Sequence, residues 1–361
     1  MSQLQSPPKD LVDRAMALHR EAIVVDTHNI VGCTEDLAER KRGGLDCKVY
    51  LVSLDIEPED FEQPAGPKNL STSYESEGYP RRAFDTIDRL YADLEEHREE
   101  VSLALTAGDI VHNKEHGKLS IMIGFEGAKP LDGSLALLRT FYRLGLRHLQ
   151  FTLMAANQLS GSGWDPSGGL TNFGKAVVKE CNRLGIIIDA DLMSQAGFYG
   201  VLELSEDPVI VGHSGVKNLC PTSGHTLLTD DQILKLHEKK GMLGIHCWSR
   251  VLTRREDGSI GDLVDHIEYV AKLTGSVDCI GIGTDFYPRR DPWNTFFDMT
   301  VRGRARSPGE PLLAPRILIG NDPGGFPSLT LALLSRGFSD GDVKKILGGN
   351  FLRVAKQVFG S

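Results

Sequence analysis

The stretch Leu119-Ser-Ile-Met-Ile-Gly-Phe-Glu-Gly127 decides the fold prediction, because an apolar run of strand length ends abruptly at the carboxylate of Glu126. A short apolar run that is bounded by turn residues is typical of a strand buried on both faces. A carboxylate at the carboxyl end of a buried parallel strand lies at the mouth of a sheet or barrel, where α/β enzymes carry their chemistry. The alternative is that Glu126 only caps the helix that follows.

The same pattern recurs along the chain. Eight short apolar segments are predicted as strands: residues 23–28, 45–54, 119–126, 148–153, 186–191, 208–213, 242–246 and 279–285. Their alternation with helical patterns favours parallel strands joined by crossover helices. In a chain of 361 residues, eight such units predict an α/β fold with a single (β/α)8 TIM-type barrel over residues 1–361. A doubly wound open sheet is the alternative, and the lack of a glycine-rich phosphate loop after the first strand argues against it.

The segments outside the strands complete this prediction. A helix at residues 9–21 and helices within 328–358 are predicted to pack on the barrel, and residues 82–101 have the pattern of one charged amphipathic helix. Residues 56–80 and 286–327 are rich in Pro and Gly and have no periodicity. We interpret them as long loops on the rim of the barrel, and therefore as candidate lids over the site.

The composition excludes several classes of protein. Hydrophobic residues make up 40% and charged residues 25% of the chain, which is typical of a globular domain. The net charge of −9 argues against nucleic-acid binding, which needs a basic face. No apolar run has membrane-spanning length, the N-terminal segment lacks the apolar core of a signal peptide, and the six cysteines are scattered. We therefore predict a cytoplasmic protein that acts on a small-molecule substrate, without a nucleic-acid or membrane partner.

A barrel carries its reactive residues at the carboxyl ends of its strands. The residues found at these ends are imidazoles and carboxylates: His28, Glu126, Asp189 or Asp191, His213, His246 and Asp285. Nitrogen and oxygen ligands of this mixture suit Zn²⁺, Mn²⁺ or Fe²⁺. Such an ion lowers the pKa of a bound water and polarises a carbonyl group. Without an ion, the same residues suit general acid and base catalysis.

Each residue also has a purely structural explanation. His213 fits a core histidine bonded to the backbone, Asp285 fits a turn cap, and His246 fits packing against its neighbours. Asp26 fits a residue that orients a ligand without binding the metal itself. Together these explanations require several independent coincidences at one end of one fold, so the sequence favours a metal or acid–base site. The remaining histidines are predicted as surface or packing residues: His19, His97, His112, His116, His148, His225, His237 and His266.

Several motifs occur in an order and spacing that point to one known family. They include Asp26-Thr-His28-Asn29, Ile123-Gly-Phe-Glu-Gly127, Pro208-Val-Ile-Val-Gly-His-Ser214, Gly281-Ile-Gly-Thr-Asp-Phe286 and Gly348-Gly-Asn-Phe-Leu-Arg-Val354. With these motifs the chain resembles the membrane (renal) dipeptidase family of the amidohydrolase-like barrels. The resemblance extends from about residue 23 to residue 354. It implies a metal-dependent dipeptidase or amidohydrolase.

The resemblance also implies a ligand set. The family holds two zinc ions that a glutamate bridges, and Glu126 matches this bridging residue. His28, His213 and Asp285 match further ligands, and Asp285 also matches the residue that handles the proton. A homodimer is implied by the family alone.

Four departures from the family pattern change this expectation. Ile30 and Leu192 replace two metal ligands, an aspartate and a histidine, and neither side chain coordinates a metal. Leu153 or Met154 stands where the family has a histidine that touches substrate. Residues 221–226 contain no clear match for the arginine that holds the substrate carboxylate. We therefore predict one divalent ion rather than two, zinc before manganese or iron, with Asp191 or His246 filling a vacant ligand position.

Three functions follow from these residues. The favoured one is a metal-dependent hydrolase that acts on a dipeptide or an amino-acid-derived small molecule, with Asp285, Glu126, His246 and Asp191 as catalytic residues. The first alternative is an isomerase, lyase or cyclisation enzyme that uses the same residues as acids and bases. The second is a non-catalytic binding protein, which the number of surviving titratable residues disfavours.

Overall fold

A computed structural model describes residues 7–30, 32, 34, 37–53, 78–221, 227–255, 257–286, 318–319 and 325–360. Eight parallel strands form a nearly closed barrel, which confirms the predicted α/β barrel fold. In barrel order they are β1 (Val25–Asn29), β2 (Cys47–Ser53), β4 (Leu119–Glu126), β5 (Leu146–Gln150), β6 (Ile187–Asp189), β7 (Ile210–Ser214), β8 (Met242–His246) and β9 (Ile280–Gly283). Between β9 and β1 the barrel is joined by a parallel bridge from Asn29 to Phe286.

One further strand, β3 (Val101–Leu103), was not predicted. β3 pairs with the first residues of β4. From Ile123 onward, β5 pairs with the same edge of β4. The predicted helix at residues 82–101 is wrong at its end, because the observed helix α3 spans Tyr79–Glu96 and a turn leads from it into β3. A strand of three residues is too short to show a periodicity of its own.

The barrel interior below the mouth is apolar. Six strands contribute to one buried cluster that fills this space: Val25, Cys47, Val49, Leu51, Met122, Ile187, Ile210 and Met242. Residues of the last helix, including Phe351 and Val354, close the amino-terminal end of the barrel as part of the same cluster. Burial of these side chains fixes the register of the strands, because a slip by one residue would turn the apolar side chains away from the interior.

Helices cover the outside of the barrel in the described part of the chain. They are α1 (Lys9–Glu21), α2 (Leu37–Arg42), α3 (Tyr79–Glu96), α4 (Ala107–Glu115), α5 (Leu135–Arg143), α6 (Asn172–Leu184), α7 (Gln195–Leu204), α8 (Asp230–Glu238), α9 (Ser249–Thr253), α10 (Ile260–Thr274), α11 (Phe326–Ser335), α12 (Asp340–Lys344) and α13 (Asn350–Phe359). The chain termini meet in this layer, since His19 of α1 bonds Thr330 of α11 through Nδ1 and Oγ1 at 2.7 Å.

The two predicted rim loops lie mostly outside the described residues, namely at 56–77 and at most positions from 287 to 324. Their function as lids stays a prediction. The helices α3 and α11 begin at Tyr79 and Phe326, so both loops end slightly earlier than predicted. Within the described ranges, no helix is long and apolar enough to span a membrane.

Candidate metal centre

The ends of β1, β4 and β7 bring His28, Glu126 and His213 together at the carboxyl end of the barrel. Nε2 of His28 lies 3.4 Å from Oε1 of Glu126. The rings of His28 and His213 stack with their centroids 3.5 Å apart. All three side chains are buried, and their ligand atoms lie within 4.8 Å of one another. This first triad therefore has the donor types and the spacing of a cation site.

A second triad consists of His213, His246 and Asp285, from the ends of β7, β8 and β9. Nε2 of His246 lies 3.4 Å from Oδ2 of Asp285. The other carboxylate oxygen of Asp285, Oδ1, lies 3.8 Å from Nε2 of His28. Asp285 therefore links the two triads, and His213 belongs to both.

The spacing within each triad suits a small divalent cation. Ligands bound at 2.0–2.2 Å around a tetrahedral ion lie about 3.4 Å from one another. The measured pairs at 3.4, 3.4 and 3.8 Å are close to that value. Both ring nitrogens of His28 are buried and make no hydrogen bond within the described residues. Because a buried polar atom without a partner is costly, a cation would account for Nε2 of His28, which faces both the Glu126 and the Asp285 carboxylates.

Burial keeps His28 in the form that binds a metal. Its burial, together with the nearby His213, lowers the pKa of His28, while Glu126 acts in the opposite direction. The neutral imidazole is the ligand form of histidine. Burial also raises the pKa of Asp285 well above its ordinary range, and the negative charges of Glu126 and Asp26 add to this effect.

Asp26 joins β1 to the end of β9 below the two triads. Its carboxylate accepts hydrogen bonds from the backbone N–H and the hydroxyl of Thr284, at 2.9 and 2.5 Å, and from Asn29 Nδ2 at 2.9 Å. The backbone N–H of Asp285 donates to the carbonyl of His28 at 3.0 Å. These bonds hold His28 and Asp285 side by side, so the orienting contacts of Asp26 are with the backbone that carries the ligands.

Asp191 lies behind His213 and is in neither triad. Its Oδ2 accepts the backbone N–H of His213 at 2.7 Å and lies 3.0 Å from His213 Nδ1. Its Oδ1 accepts the backbone N–H of Leu192 at 2.8 Å. Burial alone would lower the pKa of His213, but the adjacent Asp191 outweighs it and raises that pKa. Asp191 therefore lies where it would orient His213, and a ring protonated on Nδ1 alone would offer Nε2 to a cation.

Asp189 lies deeper in the barrel than Asp191. Its Oδ1 accepts the backbone N–H groups of Asp191 and Gly212, and its Oδ2 lies 3.0 Å from Nε2 of His148. His148 is predicted from the sequence as a surface or packing residue, and the structure places it fully buried beside this carboxylate. This contact joins β5 to β6 and was not predicted. The position of His148 at the start of a predicted strand is the sequence feature that pointed to its burial.

His246 faces the site with a defined nitrogen. Its Nδ1 accepts the backbone N–H of Trp248 at 3.1 Å, so Nε2 is the atom directed at Asp285. The indole N–H of Trp248 donates to the carbonyl of Asp285 at 2.9 Å. Trp248 thus holds both His246 and Asp285 in place through hydrogen bonds. The sequence suggested only packing of His246 against its neighbours.

Three strands approach one another closely at the mouth. A Cβ atom on Gly244 would lie 2.0 Å from the carbonyl oxygen of Gly212, and one on Gly283 would lie 1.9 Å from it. Thr27 donates its hydroxyl to the same carbonyl at 2.8 Å. Any side chain at these two glycines would force β7, β8 and β9 apart. The close approach is what allows His213, His246 and Asp285 to converge.

The residues predicted to replace family ligands are apolar and offer no ligand atom. Leu192 and Leu153 are buried, and Ile30 and Met154 are partly buried. Leu192 also has a positive φ of 57°, which is unusual for a side chain of this size. Asp285 has a φ of 52°. Backbone of this kind is held in place by surrounding structure and is concentrated at functional sites.

Comparison with known proteins agrees with this geometry. Residues 12–292 match the family model of membrane dipeptidase, peptidase family M19. The dipeptidase aclJ of Aspergillus oryzae is 31% identical over 331 residues, which cover 90% of this chain and 69% of that protein. Human dipeptidase 3 is 31% identical over 366 residues, which cover 97% of this chain and 68% of that protein.

Solved structures show the same fold. An amidohydrolase from Pseudomonas aeruginosa is 26% identical with a TM-score of 0.81, covering 96% of this chain and 99% of that one. A metallo peptidase from Rhodobacter sphaeroides, liganded with a phosphinate mimic of the dipeptide L-Ala-D-Ala, is 21% identical with a TM-score of 0.76, covering 93% of this chain and 99% of that one. The resemblance inferred from the motifs is confirmed, and the chain belongs to the membrane dipeptidase family of metallopeptidases.

Proposed function

We propose that the protein is a metal-dependent hydrolase that cleaves an amide bond in a dipeptide or a related amino-acid-derived small molecule, and that it uses one divalent ion, with zinc favoured. The observation that carries this proposal is the convergence of His28, Glu126, His213, His246 and Asp285 within two overlapping triads at the mouth of the barrel. The family supplies the reaction class, and the donor set supports an ion of the zinc type.

One ion is favoured over two because the triads share His213. A carboxylate is able to bridge two ions with its two oxygens, but a histidine ring nitrogen binds only one. The Nδ1 atom of His213 lies 3.0 Å from Oδ2 of Asp191, so Nε2 is the nitrogen that we assign to the ion. With Ile30 and Leu192 at two family ligand positions, His246 is the residue that supplies a replacement ligand in our proposal.

The ion, when bound, supplies a Lewis acid for the carbonyl group and a water of lowered pKa. The other requirements are met by residues of the chain. Asp285, whose pKa burial raises, is placed to take a proton from the attacking water and to deliver it to the leaving amine. Asp191 keeps the ring of His213 in one orientation, and Trp248 does the same for His246.

The test is metal content by elemental mass spectrometry, measured together with amine release from a panel of dipeptides. We expect about one equivalent of zinc per chain, and loss of both metal and turnover in Glu126→Ala and His246→Ala. His237→Ala, on the outer helix α8, is the matched control and should keep both. Two equivalents of metal in the wild type, or full metal retention in His246→Ala, would overturn the single-ion site.

A second function is favoured by one observation, the buried leucines Leu153 and Leu192 where the family binds substrate and metal. It is an isomerase, lyase or cyclisation enzyme in which Asp285 and the histidines act as acids and bases. One equivalent of metal without cleavage of any dipeptide in the panel would favour this function over hydrolysis. Cellular location and oligomeric state remain predictions: a cytoplasmic homodimer.

A further inference from the structure

Two buried polar side chains, His148 of β5 and Asp189 of β6, form a pair inside the barrel. Both are fully buried, and Nε2 of His148 lies 3.0 Å from Oδ2 of Asp189. Glycines make room for the pair on both sides. A Cβ on Gly124 of β4 would lie 2.7 Å from Nδ1 of His148, and one on Gly212 of β7 would lie 2.4 Å from Oδ2 of Asp189. The two side chains therefore occupy the interior between β4 and β7, and neither belongs to a triad.

The other oxygen of Asp189 connects this pair to the chain around His213. Oδ1 accepts the backbone N–H of Gly212 at 3.1 Å and that of Asp191 at 2.8 Å. Gly212 is the residue before His213 in β7. Asp191 accepts the backbone N–H of His213 at 2.7 Å. Both hydrogen bonds of Oδ1 therefore lead to His213, one along the chain and one through Asp191.

The strand that carries His213 is paired weakly on the side of β6. Strand β6 ends at Asp189, and among the described residues its one register pair with β7 joins Asp189 to Ile210. The pairing of β7 with β8 is also irregular at the level of His213, where its register shifts. Ladder hydrogen bonds normally fix the backbone of a strand. Here Gly212 and His213 donate their N–H groups to the carboxylates of Asp189 and Asp191, so these side chains hold the backbone of the ligand.

The imidazole of His148 stabilises the carboxylate that makes these bonds. It supplies the one hydrogen bond that Oδ2 of Asp189 accepts among the described residues. A buried carboxylate oxygen without a donor is costly. Without the imidazole, the Asp189 carboxylate would lower this cost by taking up a proton or by rotating. Either change weakens the bonds that Oδ1 accepts, because an ionised and fixed carboxylate is the stronger acceptor.

We propose that His148 and Asp189 form a positioning pair for His213, and that the affinity of the centre for its ion depends on His148. The ring holds one oxygen of Asp189, and the other oxygen holds the backbone on both sides of the ligand. A metal site tolerates only small errors in the placement of its ligands, of about 0.5 Å or 10–20°. The inference rests on the proposed function, because it needs an ion bound by His213.

The test measures zinc affinity by chelator competition and stability by urea unfolding of the metal-free protein. His148→Leu removes the hydrogen-bond donor and keeps a side chain of similar volume, and zinc should bind to it about tenfold more weakly than to the wild type. His148→Gln offers an amide N–H at about the reach of Nε2, so it should restore the affinity to within about threefold of the wild type. A purely structural pair would change the free energy of unfolding alone.

His19→Leu is the matched control. His19 is also a buried histidine whose two ring nitrogens are engaged, with the hydroxyl of Thr330 and the carbonyl of Gly43, but it lies on the outer helix α1. The same substitution there should lower the free energy of unfolding and leave zinc affinity unchanged. If His148→Leu does not fold, the smaller side chain of His148→Ala replaces it in the same comparison.

The outcomes separate this inference from the proposed function. Weaker zinc binding in His148→Leu with recovery in His148→Gln supports the positioning pair, whether or not the wild type cleaves any dipeptide. Equal affinity of the wild type and His148→Leu overturns the inference and leaves the proposed function standing. An equal loss in His148→Leu and His148→Gln also overturns it, because the hydrogen bond is then not the cause. A wild type that binds no zinc overturns both.

Discussion

His266 is predicted to make folding stability depend on pH in a defined window. The ring is buried on α10, where Nδ1 accepts the backbone N–H of Val216 at 3.0 Å and Nε2 lies 3.1 Å from the carbonyl of Leu252. Val216 follows His213 and Leu252 follows His246, so His266 holds the loops that follow β7 and β8. Only the neutral tautomer with a proton on Nε2 satisfies both contacts, because a protonated ring has no acceptor for Val216.

The magnitude follows from the pKa of this ring. Burial lowers the pKa of His266 from 6.5 to about 4, against a smaller opposing effect of the Leu252 carbonyl. The unfolded chain therefore binds the proton first as the pH falls. The stabilisation is fully present above pH 6.5 and is lost progressively between pH 6.5 and about 4. A shift of this size corresponds to at most about 3 kcal/mol of unfolding free energy, at about 1.36 kcal/mol per pKa unit.

Equilibrium urea unfolding at several pH values between 7 and 4 measures this effect. In His266→Gln the free energy of unfolding should be lower than in the wild type at pH 7. Its decline toward pH 4 should also be less steep, because the variant lacks a group that binds up to about one more proton in the unfolded chain than in the folded one. His237→Gln, a partly buried histidine on α8, should leave the wild-type slope unchanged. Identical slopes for wild type and His266→Gln would refute the reasoning, because the linkage requires this ring to titrate differently in the two states.

Three further results are expected. Asp191→Asn should lower zinc affinity about 10- to 100-fold in a chelator competition, since it removes the charge behind a ligand histidine, and unchanged affinity would argue against an orienting role. Gly244→Ala should lower the free energy of unfolding by about 3 kcal/mol or more, because its Cβ would lie 2.0 Å from the Gly212 carbonyl oxygen. The control Gly200→Ala should cost little, because its Cβ would meet only a side chain at 3.4 Å. Zinc at a hundred times its Kd should raise the free energy of unfolding of the wild type by about 2.7 kcal/mol and should leave that of His28→Ala unchanged. Equal stabilisation of both proteins in thermal or urea unfolding would place the ion elsewhere.

The sequence predicted the barrel because its evidence is local. Each barrel strand is a short apolar run with a polar residue at its carboxyl end, as in the run that ends at Glu126, and each such signal is complete within about ten residues. The same local signals placed His28, His213 and Asp285 at the mouth. The sequence failed where the signal was too short, because it merged α3 with the three-residue strand β3. It counted His148 and His266 among the surface or packing residues, but it did not reveal the buried polar groups that each of them contacts.

The sequence by itself therefore determined the fold class, the family and the strand ends at which the reactive residues lie. Only the tertiary structure shows that Asp191 lies in neither triad, whereas His246 belongs to the second. Asp191 is closer in sequence to the lost ligand position, but the backbone N–H groups of His213 and Leu192 engage its two oxygens. His246 joins the second triad because Gly244 lets β8 approach β7, and that contact between distant segments leaves no trace in the local pattern of either strand.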